Sequence, residues 1–137
     1  MSSDRPNSAE LPSQRATGTA ERRRHLGRRG EDLACERLAA LGLRIVDRNW
    51  RCRSGEIDVI AAGPGLLVFC EVKTRRGHGY GTPAEAVTSA KRARLRQLAA
   101  AYLAAGEHPP CNVRFDVVTI TWPHGGVPIV DHLEAAF

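Results

Sequence analysis

Apolar residues recur at a helical spacing in two segments of this chain and at a strand spacing in the segments between them. In the first helical segment, residues 28–41, positions three and four apart form one apolar stripe. The stripe consists of Glu31, Ala34, Leu38 and Leu41. Gly42 predicts the C-terminal end of this helix. The helix dipole explains an acid near the helix start, but it does not explain why Glu31 lies on the apolar side.

A second helical segment begins with a capping box, Thr82-Pro83-Ala84-Glu85, that has proline at the first helical position. Thr88 or Ser89 would cap a new start, so we expect a break there. A stripe of large apolar residues follows at Val87, Leu95, Leu98 and Tyr102. Lys91 lies in the middle of this stripe and needs a partner. Either its side chain reaches solvent at the edge, or it contacts acids or phosphate at the sheet.

Shorter apolar segments predict about five strands. They cover residues 43–47, 49–58 with an extension to 61, 66–74, 113–120 and 127–130. The segment 66–74 is the most apolar, which predicts a central strand. Gly63-Pro64-Gly65 predicts a turn before it, and Gly55 predicts a bulge or a close approach. Two helical segments and about five strands predict an α/β domain with a mixed sheet.

Composition describes one domain behind a basic tail. The 137 residues, 42% of them apolar, are enough for a single core. Residues 1–24 are rich in Ser, Pro, Arg and Thr and lack an apolar period, so we expect a flexible tail there and a single domain over 25–137. No apolar run has the length of a membrane span or the form of a signal peptide. We therefore expect a cytoplasmic protein without membrane contact.

The net charge of +5 is concentrated in two clusters. Residues 73–96 contain one acid, Glu85, and seven basic residues: Lys73, Arg75, Arg76, Lys91, Arg92, Arg94 and Arg96. The second cluster is Arg22, Arg23, Arg24, Arg28 and Arg29. Clustered arginines suit phosphate backbones, although a solvated helix face and a charged tail give the same pattern. Aromatic content of 5% is too low for a base-stacking platform, which favours duplex or branched nucleic acid over single strands.

Candidate chemistry lies in two segments, Gly55-Glu56-Ile57-Asp58 and Phe69-Cys70-Glu71-Val72-Lys73. Two adjacent strands would carry their acids to one point, and Glu71 and Lys73 would project from the same side of their strand. A divalent cation or a phosphate would stabilise such a patch. Acids, an ammonium group and a cation together are the groups that phosphodiester cleavage uses. The structural alternative is a salt-bridged cluster of Asp58, Glu71 and Lys73.

Cysteines and histidines add little to this chemistry. The four cysteines are widely spaced and form no Cys-x-x-Cys pair, so we expect small, buried, reduced thiols and no zinc site. Four histidines are expected in loops or at the surface: His78, His108, His124 and His132. Of these, His78 lies close to the candidate site in sequence.

The motifs, in this order, resemble the bacterial YraN family of uncharacterised proteins. The resemblance rests on Gly30-Glu31, Asn49, Gly55-Glu56-Ile57-Asp58, Phe69 with Glu71-Val72-Lys73, Lys91, Arg114-Phe115-Asp116 and Ala136-Phe137. The family is regarded as a member of the PD-(D/E)xK nuclease superfamily, close in layout to archaeal Holliday-junction resolvases. The resemblance therefore implies a restriction-endonuclease-like core, with a mixed sheet of about five strands flanked by helices.

The same resemblance implies a set of site residues. The catalytic residues would be Glu31, Asp58, Glu71 and Lys73. Asp58 and Glu71, with the main-chain carbonyl of Val72, would bind Mg²⁺ or Mn²⁺, which retains waters that supply the attacking hydroxide. Lys73 would orient that water or neutralise the phosphate. Glu56 and Lys91 are further candidates, and Ile57 stands where the family pattern usually has proline.

These expectations describe a metal-dependent nuclease that acts on double-stranded or branched DNA in recombination or repair. The nucleic-acid-binding residues would be Arg28, Arg29, Arg75, Arg76, Arg92, Arg94 and Arg96. Two alternatives remain open: a non-catalytic nucleic-acid-binding module, and a subunit that is active only with a partner. Analogy with the resolvases also implies a homodimer.

Overall fold

The computed structural model of the chain describes residues 12–77 and 82–137. It contains two helices, a short 3₁₀ helix and five strands. In chain order these are α1 (Pro12–Ala40), β1 (Arg44–Cys52), β2 (Gly55–Gly63), β3 (Leu66–Arg76), the 3₁₀ helix (Pro83–Ala86), α2 (Ser89–Ala105), β4 (Asn112–Trp122) and β5 (Ile129–Leu133). The predicted mixed α/β architecture is confirmed. Neither helix within the described ranges is long and apolar enough to cross a membrane.

The five strands form one sheet in the order β1-β2-β3-β4-β5, so β3 is central as predicted. Only β3 and β4 pair in parallel, and the other neighbours are antiparallel. A parallel pair needs a crossover connection, and α2 supplies it. Because two faces of the sheet are covered by different helices, β3 is apolar on both sides over most of its length.

Each face of the sheet has its own apolar core. On one face, Leu98 of α2 packs with Ile60 and Phe69. On the other face, Leu38 of α1 packs with Val68. The burial of β3 ends after Cys70, so the candidate site begins where the two cores end. All four cysteines are free thiols, but the expected burial holds for Cys70 alone, since the other three are partly exposed.

Helix α1 begins at Pro12, well before the predicted start at residue 28. The predicted helix start is therefore wrong, whereas the flexibility expected over residues 1–24 stays a prediction, and residues 1–11 lie outside the described ranges. The apolar period misses this part because it has no apolar stripe, and of the side chains described there Glu21, Arg22 and Arg24 are exposed. Glu, Arg and Ala nevertheless have high intrinsic helix propensity, so they extend the helix without a buried stripe.

The boundaries of strands β1 and β2 differ from the predicted ones. The predicted break after residue 47 does not occur, because β1 continues to Cys52, with Asn49 at a φ of 52° inside it. The reversal comes at Arg53-Ser54, and Gly55, at a φ of 142°, begins β2. A β-carbon at Gly55 would lie at an ordinary contact distance of 3.7 Å from Leu98 of α2, so the φ of 142°, and not the predicted close approach, favours glycine there. The last strand, β5, lies two to three residues beyond the predicted 127–130.

The predicted signals around the second helix are confirmed. The main-chain N–H of Thr82 donates to Glu85 Oε1 at 2.6 Å, which is one half of the capping box. The helical segment breaks as expected, and Thr88 caps α2 by accepting from the N–H of Lys91 at 3.2 Å. This cap fixes the first turn of α2, and with it the position of Lys91 over the sheet.

Candidate functional site

Strands β2 and β3 separate at Asp58. Their register ends with the pair Val59–Cys70, and beyond it Asp58 Oδ2 accepts the main-chain N–H of Val72 at 2.8 Å. The side chain thus replaces a ladder hydrogen bond and holds its carboxylate between the two strands. The N–H and C=O of one strand residue point to the same edge, so the Val72 carbonyl also lies on the edge toward Asp58.

The environment of Asp58 favours its protonated form. Burial, and then the nearby charge of Glu71, raise the pKa of Asp58 to about 7, with smaller contributions from Glu31 and Glu56. The hydrogen bond from Val72 opposes this shift without cancelling it. A cation beside Asp58 would stabilise its charged form, since the carboxylates around it repel one another.

Glu71 is held between Asp58 and Lys91. Its side chain is 12% exposed, and its Oε2 lies 3.0 Å from Lys91 Nζ, which remains 48% exposed on α2. Lys91 therefore does what both sequence interpretations proposed: it contacts an acid at the sheet and stays in contact with solvent. Lys73, two residues after Glu71, is exposed at the end of the same strand.

Helix α1 reaches the site through Gly30. A β-carbon at Gly30 would overlap Thr74 Oγ1 and lie 3.3 Å from Thr74 Cβ, so only glycine lets the helix approach β3 this closely. The next residue, Glu31, is consequently placed over the end of β3, with its side chain 17% exposed. It lines a depression of about 320 Å³ with Leu26, Gly27, Val72, Lys73 and Thr74.

Asn49 links the carboxylates of the site, a role that sequence reasoning missed. Its Nδ2 donates to Glu31 Oε2 at 3.0 Å and to Glu56 Oε2 at 3.4 Å. Its φ of 52° lies in the left-handed region, which asparagine tolerates better than most residues. An asparagine at the first position of a predicted strand was the available signal. Arg48 also contacts Glu31, with its terminal nitrogen 3.6 Å from Oε1.

Glu56, the alternative ligand proposed from the sequence, lies at the margin of the site. It is exposed, and besides Asn49 it contacts Arg51, whose Nε lies 3.5 Å from Glu56 Oε2. Its charge is the smallest of the three acidic contributions that raise the pKa of Asp58. The charges of Glu71 and Glu31 thus act on Asp58 more strongly than the charge of Glu56 does.

The candidate nucleic-acid-binding arginines fall into separate groups. Arg28 and Arg29 are exposed on α1, and Arg76 is exposed at the end of β3. Arg92 and Arg96 instead lie over the ring of Phe137, with their guanidinium carbons 5.6 and 5.2 Å from its centroid. The remaining two candidates are Arg75 at the end of β3 and Arg94 on α2. His78 lies outside the described ranges.

A second buried cluster surrounds Asp116 on β4. Arg114 donates to both carboxylate oxygens at 2.9 Å, and His132 Nε2 lies 2.8 Å from Oδ2. Burial alone would raise the pKa of Asp116, but the bonds from His132, Arg114 and the Ala135 N–H hold it below its usual value. The expectation that His132 lies at the surface is wrong, because its side chain is 1% exposed and paired. The cluster anchors β5 and the residues after it.

The oxygen atoms at the β2–β3 separation fit a hard divalent cation. Two carboxylates, Asp58 and Glu71, and the Val72 carbonyl supply the ligand type that Mg²⁺ and Mn²⁺ prefer, and Mg²⁺ usually keeps several waters. Over residues 12–77 and 82–137, no three side chains of His, Cys, Asp or Glu form a metal-binding cluster by themselves. The Val72 carbonyl and water would therefore complete the coordination.

Comparison with known proteins gives the family. The profile of "Uncharacterised protein family UPF0102", the YraN family, matches residues 30–120. A UPF0102 protein of Acidothermus cellulolyticus is 49% identical over 130 residues, covering 88% of this chain and 98% of the relative. UPF0102 proteins of Frankia casuarinae and Nocardia farcinica are each 53% identical over 112 residues, 82% of this chain, and are covered to 95% and 88% of their own length. The chain therefore belongs to the uncharacterised protein family UPF0102.

Proposed function

We propose that this protein is a metal-dependent nuclease with a restriction-endonuclease-like core, acting on double-stranded or branched DNA. The observation that carries the proposal is Asp58, held by the Val72 N–H where β2 leaves β3 and placed beside Glu71. A carboxylate whose pKa is raised to about 7 by burial and by a second acid is poorly stabilised without a cation. Perturbed carboxylates of this kind are typical of functional sites.

Each residue of the site has a distinct role in this proposal. Asp58, Glu71 and the Val72 carbonyl would hold Mg²⁺ or Mn²⁺, which when bound supplies Lewis acidity toward the phosphate and lowers the pKa of water. Glu31, fixed by Asn49 at 3.0 Å, would accept a hydrogen bond from the attacking water. Lys73, exposed beside the same depression, would stabilise the negative charge that develops on the phosphate.

Purified protein incubated with Mn²⁺ and junction, flap and linear DNA tests the proposal. We expect wild-type cleavage, and its loss in Asp58→Asn and Glu71→Gln with binding unchanged or tighter, because each change removes a negative charge beside the phosphate. Lys73→Met should slow cleavage on the order of 100-fold and slightly weaken binding. The acid variants and Lys73→Met should thus change DNA binding in different directions. Unfolding would instead weaken both cleavage and DNA binding in every variant.

Arg44→Gln is a matched control for that series, since Arg44 is exposed at the start of β1, at the opposite end of the sheet from the site. It should cleave and bind like the wild type. Absence of metal-dependent cleavage by the wild type on every DNA and RNA structure would refute the nuclease function.

One observation favours a second candidate, a non-catalytic nucleic-acid-binding module. Lys91 Nζ lies 3.0 Å from Glu71 Oε2, where it provides part of the positive charge that a metal ion would otherwise supply. If this ion pair replaces the metal, Lys91→Met should destabilise the protein and leave DNA binding independent of Mn²⁺. If the metal is required, Lys91→Met should increase the affinity for Mn²⁺, because Glu71 loses a competing cation. Calorimetric titration with Mn²⁺ distinguishes the two outcomes.

A further inference from the structure

Helix α1 extends beyond the sheet on the side of the candidate site. Gly30 packs on Thr74 near the carboxyl end of β3, whereas Leu43, just after the helix, packs on Gly63 at the other end. The helix therefore runs antiparallel to β3, and residues 12–29 project past the end of that strand. We call residues 12–29 the arm. At 1.5 Å per residue it is about 27 Å long.

The arm is strongly basic, and most of its described side chains are exposed. Its sequence contains six arginines and one acid, Glu21. Among the residues of the arm whose side chains are described, all the charged ones are exposed, and partial burial is limited to Ala20, Leu26 and Gly27. A helix without an apolar stripe gains little from the sheet, so a partner of complementary charge would stabilise it. Charge complementarity indicates a polyanion.

The exposed arginines of the arm form two rows. Arg22 and Arg29 are seven residues apart, which places them about 20° from each other around the helix. Arg24 and Arg28 are four residues apart and lie on the opposite flank, about 200° and 240° from Arg22. A single strand would need only one such row. A helix that lies between two phosphate backbones needs a row on each flank.

We propose that the arm lies in the major groove of duplex DNA, with Arg22 and Arg29 on one phosphate backbone and Arg24 and Arg28 on the other. The major groove of B-DNA is about 12 Å wide and admits an α-helix, whereas the major groove of duplex RNA is too narrow. The arm is somewhat shorter than the roughly 34 Å of one duplex turn.

The root of the arm joins this surface to the candidate site. Leu26 and Gly27 line the same depression as Glu31 and Lys73. A duplex held by the arm would therefore place its backbone beside the carboxylates. In this sense the inference rests on the proposed function, since it identifies duplex DNA as the substrate of that site and the arm as the element that holds it.

Binding measured without cleavage tests the arm. Fluorescence anisotropy with a labelled DNA duplex, in EDTA and over a range of salt concentrations, gives the slope of log K against log salt for each variant. Two double variants, which we call the row variants, each remove one row: Arg22→Gln with Arg29→Gln, and Arg24→Gln with Arg28→Gln. Each should reduce the magnitude of that slope by about 2 and weaken binding on the order of 10-fold. Arg44→Gln, far from the arm, should leave both unchanged.

Binding in the major groove predicts two further results. Both row variants must have effects of similar size on duplex DNA, and neither should alter the weaker binding to an RNA duplex or to a single strand of the same sequence. Circular dichroism must show unchanged helix content, since glutamine replaces arginine at little cost in helix propensity. An effect confined to one row, or equal effects on single-stranded DNA, would overturn the inference.

The outcome is separable from that of the proposed function. Normal duplex binding by both row variants, with cleavage intact, would remove the arm from the binding surface and leave the nuclease function standing. Loss of binding in both row variants, with no cleavage by the wild type on any substrate, would support the arm and reject the nuclease.

Discussion

At the scale of single residues, the site depends on how a few polar side chains are satisfied. Asp58 accepts a hydrogen bond from the main-chain N–H of Val72, which pairs with no strand on that side. Asn49 Nδ2 donates to Glu31 Oε2 at 3.0 Å. Lys91 neutralises part of the charge of Glu71. The hydrogen bonds fix the positions of the carboxylates, and their mutual repulsion stores an unfavourable energy that a ligand would relieve.

The raised pKa of Asp58 predicts how stability depends on pH. An acid with a folded-state pKa of about 7, above its ordinary value near 4, holds its proton more tightly in the folded state. The folded state therefore loses stability as the pH rises from about 4 to about 7. Relative to the wild type, Asp58→Asn should be more stable by up to about 4 kcal/mol above pH ~7, with the difference vanishing near pH ~4.

Urea unfolding at a series of pH values, without divalent cations, measures this difference. Glu56→Gln is the matched control, because Glu56 is exposed and contributes least to the shift. Excess Mn²⁺ should raise the stability of the wild type but not that of Asp58→Asn, since a cation binds the charged carboxylate. A stability difference that stays constant with pH would contradict the raised pKa.

At the scale of elements, the site is assembled by the approach of α1 to the end of β3. Gly30 makes that approach possible, and Glu31, as the next residue of the helix, is thereby placed over the end of β3. Asp58 and Glu71 lie on adjacent strands joined by a short turn, so the strand period of two is enough to bring them together. Their proximity therefore depends on local sequence. The contribution of α1 depends instead on contact between residues that lie far apart in the sequence.

Gly30→Ala should destabilise the protein by about 1–3 kcal/mol, because the added methyl group overlaps Thr74 Oγ1. Thr74→Ala in the same chain should recover part of that loss by removing the hydroxyl. Thermal unfolding measures both. Gly27→Ala is the control, since a β-carbon there meets nothing within 4 Å, and it should stabilise the helix by about 0.4–1 kcal/mol. Equal effects at the two glycines would show that the approach is not tight.

At the scale of the whole molecule, the carboxyl-terminal segment closes the sheet over the Asp116 cluster. The Ala135 N–H donates to Asp116 Oδ1 at 3.1 Å, and the Ala136 N–H donates to the Phe115 carbonyl at 2.7 Å. Phe137 then stacks on Phe115 with ring centroids 5.0 Å apart. These contacts order β5 and cover one end of α2.

Asp116→Asn should cost about 3–5 kcal/mol in the free energy of unfolding, because it removes the fully buried carboxylate charge that pairs with Arg114 and sets an amide NH₂ against the N–H donors of Arg114 and Ala135. Protection from hydrogen exchange should fall first in β5, which the cluster anchors. Glu134→Gln serves as the comparison: Glu134 also contacts Arg114, at 3.3 Å, but its side chain is 50% exposed, so its loss should cost less than about 1 kcal/mol. A small effect at Asp116 would mean that packing alone holds β5.

The sequence by itself determined the features that depend on local period and on residue type. The continuous apolar run in residues 66–74 identified the central strand, and the strand period of two put Glu71 and Lys73 on one side of it. Helix caps such as Thr88 were readable because they use neighbouring residues. The order of the motifs identified the family, and the carboxylates that the structure brings together, Asp58 and Glu71, were among the predicted site residues.

Only the tertiary structure decided the features that join residues distant in the chain. Asn49 contacts Glu31 across 18 positions and His132 contacts Asp116 across 16, and no periodic pattern encodes such pairs. The early start of α1 was missed for a related reason, because an exposed basic helix has no apolar period. Arginines that looked alike in sequence were also separated by the fold: Arg92 and Arg96 lie over Phe137, while Arg28 and Arg29 remain exposed on the arm. Local pattern sets the elements, and the packing between them sets which polar groups meet.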